Sequence, residues 1–254
     1  LQMRILREDF LRWFMHMLIF FGFMLLLLMH ALDNFISEPL FADYYSPINP
    51  FMFLRNFFGA MVVLGVAIAV YRRVTLKGLR IITKATDIYA ISILAVIMIS
   101  GYSLEGVKIV SYSIFDQMVA DYAGTDDPDE INPLKALWAK EYGVVFPDFP
   151  DSFEPDLLEE GRELNEESCA SCHTRPIWAF VSYPLAKTLK SIALSMTGAD
   201  ADVWLWYIHF LACFVGLAYL PFSKFFHIFS TPISLLVNEF SDHDRAEPAN
   251  VATR

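Results

Sequence analysis

The chain has 254 residues, 56% of them apolar and 23 of them Phe, with a mean hydropathy of +0.42. That share exceeds the roughly 45–50% of a soluble globular domain and makes a membrane protein the first expectation. The net charge of −10 is unevenly placed, so its distribution says more than its sum, and no nucleic-acid partner is expected.

Four windows, roughly 10–32, 51–71, 88–112 and 203–229, are long and apolar enough for the about 20 helical residues that span a hydrocarbon core. The fold class expected is an all-α membrane protein whose four spans form a bundle. Arg4, Arg7 and Arg12 precede the first span, and Arg72, Arg73, Lys77, Arg80 and Lys84 lie between the second and third with no acid among them. The positive-inside rule makes these ends cytoplasmic. The link between spans one and two carries Asp33, Glu38 and Asp43 without a Lys or Arg, and residues 117–202 hold 17 acids against 6 basic residues. Both segments are expected outside the cytoplasm, with the amino and carboxyl termini inside and the protein in the cytoplasmic (inner) membrane. The chain opens on Leu1 and reaches its first span within about ten residues, which leaves room for a further helix upstream. The first stretch is too long for a cleavable signal and lacks a small-residue cleavage site.

The resulting organisation is three spans over 1–116, an extracytoplasmic segment over 117–202, a fourth span over 203–232 and a cytoplasmic tail over 233–254. Pro and Asp punctuate residues 120–155 (Asp126, Asp127, Pro128; Pro147, Asp148, Phe149, Pro150, Asp151), which predicts mostly irregular structure there. Helical character returns over 156–167. Residues 176–196 read as an amphipathic helix at the outer face, with a fifth short or re-entrant span as the alternative. Lys187 and Lys190 argue against a simple crossing.

Two of the spans carry paired histidines. His16 and His30 are 14 apart, which leaves them within about 40° on a helix and about 21 Å apart in height. His209 and His227 are 18 apart, five full turns and about 27 Å on an ideal helix. Tilt or curvature is expected to absorb the mismatch. The two helices run antiparallel, so His16 is expected to meet His227 near the cytoplasmic face and His30 to meet His209 near the outer face. Ionisable side chains inside a membrane are costly and usually functional, and facing imidazoles are the axial ligands of a b haem. The bland reading is that they hydrogen-bond between helices. Four at concordant depths favour two stacked b haems. Gly22 and Gly216 either clear room for porphyrin or mark close helix packing.

Cys169-Ala170-Ser171-Cys172-His173 announces a third haem. Its thiols would form thioethers to the haem, and His173 would become the proximal iron ligand. A redox disulfide or zinc site is the alternative, but zinc lacks a second ligand pair. For the sixth ligand, Met196 in Ser195-Met196-Thr197-Gly198 is the first candidate and Met118 another; a partner's ligand or an open position remain as alternatives. Cys213 reads as a small apolar residue of a helix interior.

The run Leu220-Pro221-Phe222-Ser223-Lys224-Phe225-Phe226-His227-Ile228-Phe229-Ser230-Thr231-Pro232 resembles the last helix of the respiratory nitrate reductase gamma subunit family. That family includes membrane cytochrome b subunits of heterodisulfide reductase-like and sulfite-reduction-associated complexes. Arg12-Trp13 with His16, Gly22-Phe23 and His30 resembles its first haem helix. The resemblance implies two b haems, a reaction with menaquinone or another quinone near the outer one, and a cytoplasmic iron-sulfur partner of disulfide-reductase-like or nitrate reductase beta-like type. It also implies a quinone role for Arg55, against which stands snorkelling to the interface. The inserted cysteine motif departs from the family and admits a periplasmic cytochrome c or other donor, which an acidic surface would steer. The function expected is therefore an electron-transfer subunit with two b haems and one c haem, in a respiratory or sulfur-metabolising complex. A hydrogenase-linked cytochrome b and a passive membrane anchor are the alternatives.

Overall fold

The computed structural model describes residues 9–41, 43–123, 127–147, 150 and 153–245, and among these it is mostly helical with no β-strand. Arg4, Arg7, Asp126, Asp148, Phe149, Asp151 and the tail beyond Arg245 lie outside the described residues.

The first three apolar windows form α1 (Phe10–His30), α2 (Phe51–Thr75) and α3 (Ala85–Val110). Residues 112–198 then form α4 (Tyr112–Tyr122), α5 (Pro128–Leu137), α6 (Pro155–Ser168), α7 (Ser182–Leu189) and α8 (Ala193–Gly198). The fourth span is α9 (Ala201–Ala218), followed by α10 (His227–Arg245). Helices α1, α2, α3 and α9 are long and apolar enough to cross a membrane. The chain is an all-α, multi-pass membrane protein. Helices α2 and α3 are its centre: about a third of each apolar window is buried, against 6% for α1 and α9. Phe21, Leu64, Val96, Trp204 and Phe214 stay exposed on the perimeter, where lipid rather than water is the solvent.

Close packing joins α1 to α2, α2 to α3 and α3 to α9, but not α1 to α9. The bundle therefore has one open side. Without a hydrophobic drive between helices in lipid, small residues set the approach. A Cβ at Gly22 would lie 2.7 Å from the Phe58 carbonyl oxygen, and one at Gly65 would lie 2.6 Å from Ile19. Gly22 is thus a packing point between α1 and α2. Gly216 faces Ile93 and Ile97 of α3 at ordinary contact distance, which also fits packing rather than clearance.

Asp9 caps α1 by accepting from the Arg12 N–H, and the same carboxylate takes a two-pronged contact from Arg72 at 3.0 and 2.6 Å. The Arg72 hydrogen bonds, and secondly that from Arg12, hold the Asp9 carboxyl below its usual 3.8. A lowered pKa stabilises the fold above the ordinary value, and that stabilisation is lost as pH falls through the folded one. Asp9→Asn is therefore expected to lower the unfolding midpoint at neutral pH and to narrow its gap to wild type as pH falls below 3.8. Because the Asp9 side chain is 40% exposed, the effect is about 1 kcal/mol or less. Thermal unfolding of both proteins in detergent across that range checks it.

Two sequence expectations change here. Residues 120–155 are more ordered than predicted, because Asp127-Pro128 is a helix start rather than a loop signal. The Asp127 side chain accepts from the Asp129 N–H, and Pro128 occupies the first turn, where its missing N–H costs nothing. α5 continues as a wider turn over Trp138–Tyr142 and stops at Gly143, whose φ of 94° suits glycine. Pro133 and Gly161 let α5 and α6 touch: a Cβ at Gly161 would collide with the Pro133 carbonyl oxygen. Behind that contact lies a core of Phe115, Val119, Leu134, Leu137, Trp138, Tyr142, Val144 and Cys169. The stretch 176–196 is not one amphipathic helix but short pieces, a turn at Pro176–Trp178, α7, a turn at Lys190–Ile192 and α8. α7 rests on α3, and none of the pieces is long enough to be a fifth span.

The larger correction concerns the fourth span. It does not run unbroken over 203–232; it ends at Ala218 and gives way to tight turns at Leu220–Phe222 and Lys224–Phe226. Pro221 lacks the N–H that a continuing helix needs, and Ser223 is extended, with its hydroxyl accepting from the Phe225 N–H. α10 then begins at His227 and runs on to Arg245, so the expected 233–254 tail is helical as far as it is described.

Candidate cofactor site

The open side of the bundle, between α1 and α9, is where the four histidines meet. The His30 and His209 rings lie 6.1 Å apart between centroids, and those of His16 and His227 lie 5.9 Å apart. A metal bonded to two imidazoles at about 2 Å on each side puts the ring centroids about 6 Å apart. Both pairs have that spacing. In each the rings are tilted by 52°, a rotation that coordination along a common axis leaves unconstrained.

The neighbours of two of these rings fix their chemistry. The His209 Nδ1 lies 3.1 Å from the Ile97 carbonyl oxygen and 3.1 Å from the Ser100 hydroxyl. A backbone carbonyl can only accept, so Nδ1 carries the proton and Nε2 keeps its lone pair. Gly101 makes this approach feasible, since a Cβ there would stand 3.1 Å from the ring. His227 does the same locally: its Nδ1 donates to the Lys224 carbonyl oxygen. Lys224 is itself held 2.5 Å from Asp87, which also receives Arg73 at 3.7 Å, so the break after α9 is pinned to the start of α3. Cys213, one turn below His209, lies 3.8 Å from its Nε2 and is half-buried.

Above His30 and His209 a cavity of about 500 Å³ runs out to the cysteine motif. Its walls include His30, Arg55 and His209 at one end and Met118, Trp138 and His173 at the other. The motif is a turn at the end of α6, in which the Cys172 and His173 N–H groups donate to the Cys169 carbonyl. Asn165 organises it. Its backbone oxygen accepts from Cys169 and Ala170, while its buried side chain accepts from the Trp138 indole at 2.9 Å and donates to the Tyr142 hydroxyl at 3.2 Å. Trp138 stacks on Tyr142 at 4.2 Å and meets the His173 ring edge-on at 5.8 Å. Glu141 clamps both flanks, to Arg162 at 3.1 Å and Arg175 at 2.5 Å. Burial pushes the His173 imidazole below its ordinary value, which favours the neutral form with a free lone pair, and pushes the Cys169 thiol up.

The remaining predicted residues separate. Met118 lines the cavity with His173; Met196, on α8, is not among its walls. Arg55, half-buried near the start of α2, is among the walls of the cavity. It donates from Nη1 to the Ser46 oxygen at 3.3 Å, while its buried Nε finds no hydrogen-bond partner among the described residues. A guanidinium in such a place could hold an acceptor carried by a ligand, a haem propionate or a quinone carbonyl alike.

Sequence reasoning passed over Asn56, Glu105, Trp138, Tyr142 and Asn165. Asn56 is buried within α2; its oxygen accepts from the Val181 and Ser182 N–H groups, and its amide donates to Glu105 at 3.0 Å. Ser182 also donates to Glu105, and Tyr102 donates to the Asn56 carbonyl at 2.8 Å. An Asn in an otherwise apolar span is the same kind of signal as an intramembrane His, and it could have been read.

The geometry defines an all-α membrane protein whose polar interior residues converge on facing imidazoles and a cysteine-histidine turn. Among known proteins, the chain is 32% identical over 113 residues to one subunit of the dihydromethanophenazine:CoB–CoM heterodisulfide reductase of Methanosarcina thermophila, covering 42% of this chain and 43% of that protein. The corresponding protein of Methanosarcina acetivorans is 31% identical over the same length. The EtfAB:quinone oxidoreductase of Syntrophomonas wolfei is 24% identical over 241 residues, 92% of this chain but 26% of that protein. The matches thus span less than half the length of these relatives. No family model matches the chain, and no solved structure does. The heterodisulfide reductase part of the resemblance read from Leu220–Pro232 agrees with these relatives by name.

Proposed function

We propose that the chain is a membrane electron-transfer subunit of an oxidoreductase complex and binds two b haems and one covalent c haem. The observation that carries this is the pair of facing imidazole couples, at 5.9 and 6.1 Å, on the one side of the bundle left open. His16 with His227 and His30 with His209 are the axial ligands in this reading, Cys169 and Cys172 form the thioethers, and His173 is the proximal ligand of the c haem. Bound haem supplies one-electron transfer. The chain supplies the ligands, the tautomers fixed at Ile97 and Lys224, and a low-polarity cavity that keeps the outer sites in one chamber.

In the membrane, the His16–His227 end faces the cytoplasm and an iron-sulfur partner, and the cysteine turn faces a periplasmic cytochrome c or other donor, or the quinone pool. Relatives named as part of a heterodisulfide reductase and as a quinone oxidoreductase support the redox class. Four spans carrying two facing histidine couples have no use as a passive anchor.

A pyridine haemochrome spectrum of the purified chain tests the reading. Two b haems to one c haem are expected, with the c haem retained after acid-acetone extraction. A chain without b haem would refute the proposal.

A further inference from the structure

The cysteine turn supplies one axial ligand for its haem and leaves the opposite one to be found elsewhere in the chain. We propose that Met118, and not the downstream Met196, is that sixth ligand. The inference rests on the haem c reading above.

Met118 lies on α4, three residues after Phe115, so the two are neighbours on the helix surface. Phe115 and Val119 are buried in the core that contains Cys169 and Trp138, and Met118 packs against that core. Trp138 is the ring that meets His173. Met118 and His173 also line one cavity. The methionine therefore has the same neighbours as the turn and opens on the same space.

Two other methionines line that cavity, Met52 and Met98. Met98 is committed to the α2–α3 core with Val62, Val66 and Leu94. Met52 is buried on α2, one turn before Asn56, and is not part of the core that holds Cys169. Met196 is not among the walls of that cavity, although its neighbour Thr197 donates to the hydroxyl of Ser111, which is. A thioether is a soft, weakly basic donor suited to iron opposite an imidazole, and such ligation raises the reduction potential. An axial ligand 51 residues before Cys169 is not found by searching downstream of the motif.

The test uses the full chain in detergent and reads the near-infrared sulfur-to-iron charge-transfer band of the ferric protein together with the midpoint potential of the c haem. The wild type is expected to show the band. Met118→Leu, which conserves volume, should abolish it with the c haem still covalently bound. Met118→His should also abolish it while keeping the iron low-spin and shifting its potential downward. Met52→Ala and Met196→Ala should leave the band in place. Persistence of the band in Met118→Leu, its loss in either alanine variant, or its absence from a wild type that holds covalent haem would overturn the assignment alone. A wild type without covalent haem would overturn the haem c reading with it.

Discussion

His30→Leu and His209→Leu are each expected to remove the same one of the two proposed b haems, so that the ratio of b to c haem falls from two to one. His16→Leu and His227→Leu should each remove the other. The expectation is close to all-or-none because a leucine offers no lone pair, and the remaining imidazole of each couple would be left as a single ligand on a face open to lipid. Redox titration makes the test sharper than stoichiometry. His30→Leu and His209→Leu should lose one and the same potential step and keep the other. If the two variants lose different steps, the couples at 6.1 and 5.9 Å are not the ligand pairs. Leucine at these positions suits an apolar helix surface, so the bundle itself should persist. A milder variant tests the neighbouring groups: Ser100→Ala removes one of the two contacts at the His209 Nδ1 and leaves the Ile97 carbonyl. It should keep the haem.

The pairing of these histidines could be read from the sequence because it follows from helix periodicity and crossing number alone. How it is achieved could not. Ideal helices leave the spacings of His16 to His30 and His209 to His227 about 6 Å apart in height, and tilt or curvature is the remedy that periodicity suggests. The chain instead breaks the helix after Ala218 and brings His227 back by two tight turns, with Lys224 anchored on Asp87. Pro221 signals the break, but the even five-turn spacing masks it. A related confusion affects Asp127-Pro128, where turn residues and helix-start residues are the same residues, and only the contact between Pro133 and Gly161 decides between them. The four spans were legible because hydropathy records the solvent directly. The walls of the cavity were not, because they come from α1, α2, α3, α4 and α9 together with the cysteine turn, and no local pattern records which of those faces meet.

Asn56→Ala is expected to destabilise the docking of the segment between α3 and α9 on the bundle more than truncation of any of its polar neighbours. The side chain is 1% exposed and makes three long-range contacts: it accepts from the Val181 and Ser182 N–H groups at 3.2 Å each and donates to Glu105 at 3.0 Å. Those two N–H groups stand at the start of α7, where helix geometry provides no partner for them. Alanine leaves both without an acceptor and removes one donor from a carboxylate that, among the described residues, keeps Ser182 alone. Each buried group so orphaned costs about 1–3 kcal/mol in a soluble protein and somewhat less between membrane helices, which puts the total at about 2–5 kcal/mol. Tyr102→Phe, by contrast, removes one bond to the Asn56 carbonyl, which the helix already uses, and should cost about 1 kcal/mol or less. Thermal unfolding in detergent ranks the two variants, and hydrogen exchange at residues 181–189 should speed up in Asn56→Ala only. Because α7 rests on α3 and Pro176 lines the cavity beside His173, loosening it should also shift the potential of the proposed c haem while leaving that of the proposed His16–His227 haem in place. Equal stabilities for the two variants would mean that the segment is held by its apolar contacts, and that Asn56 is incidental to how the cysteine turn meets the bundle.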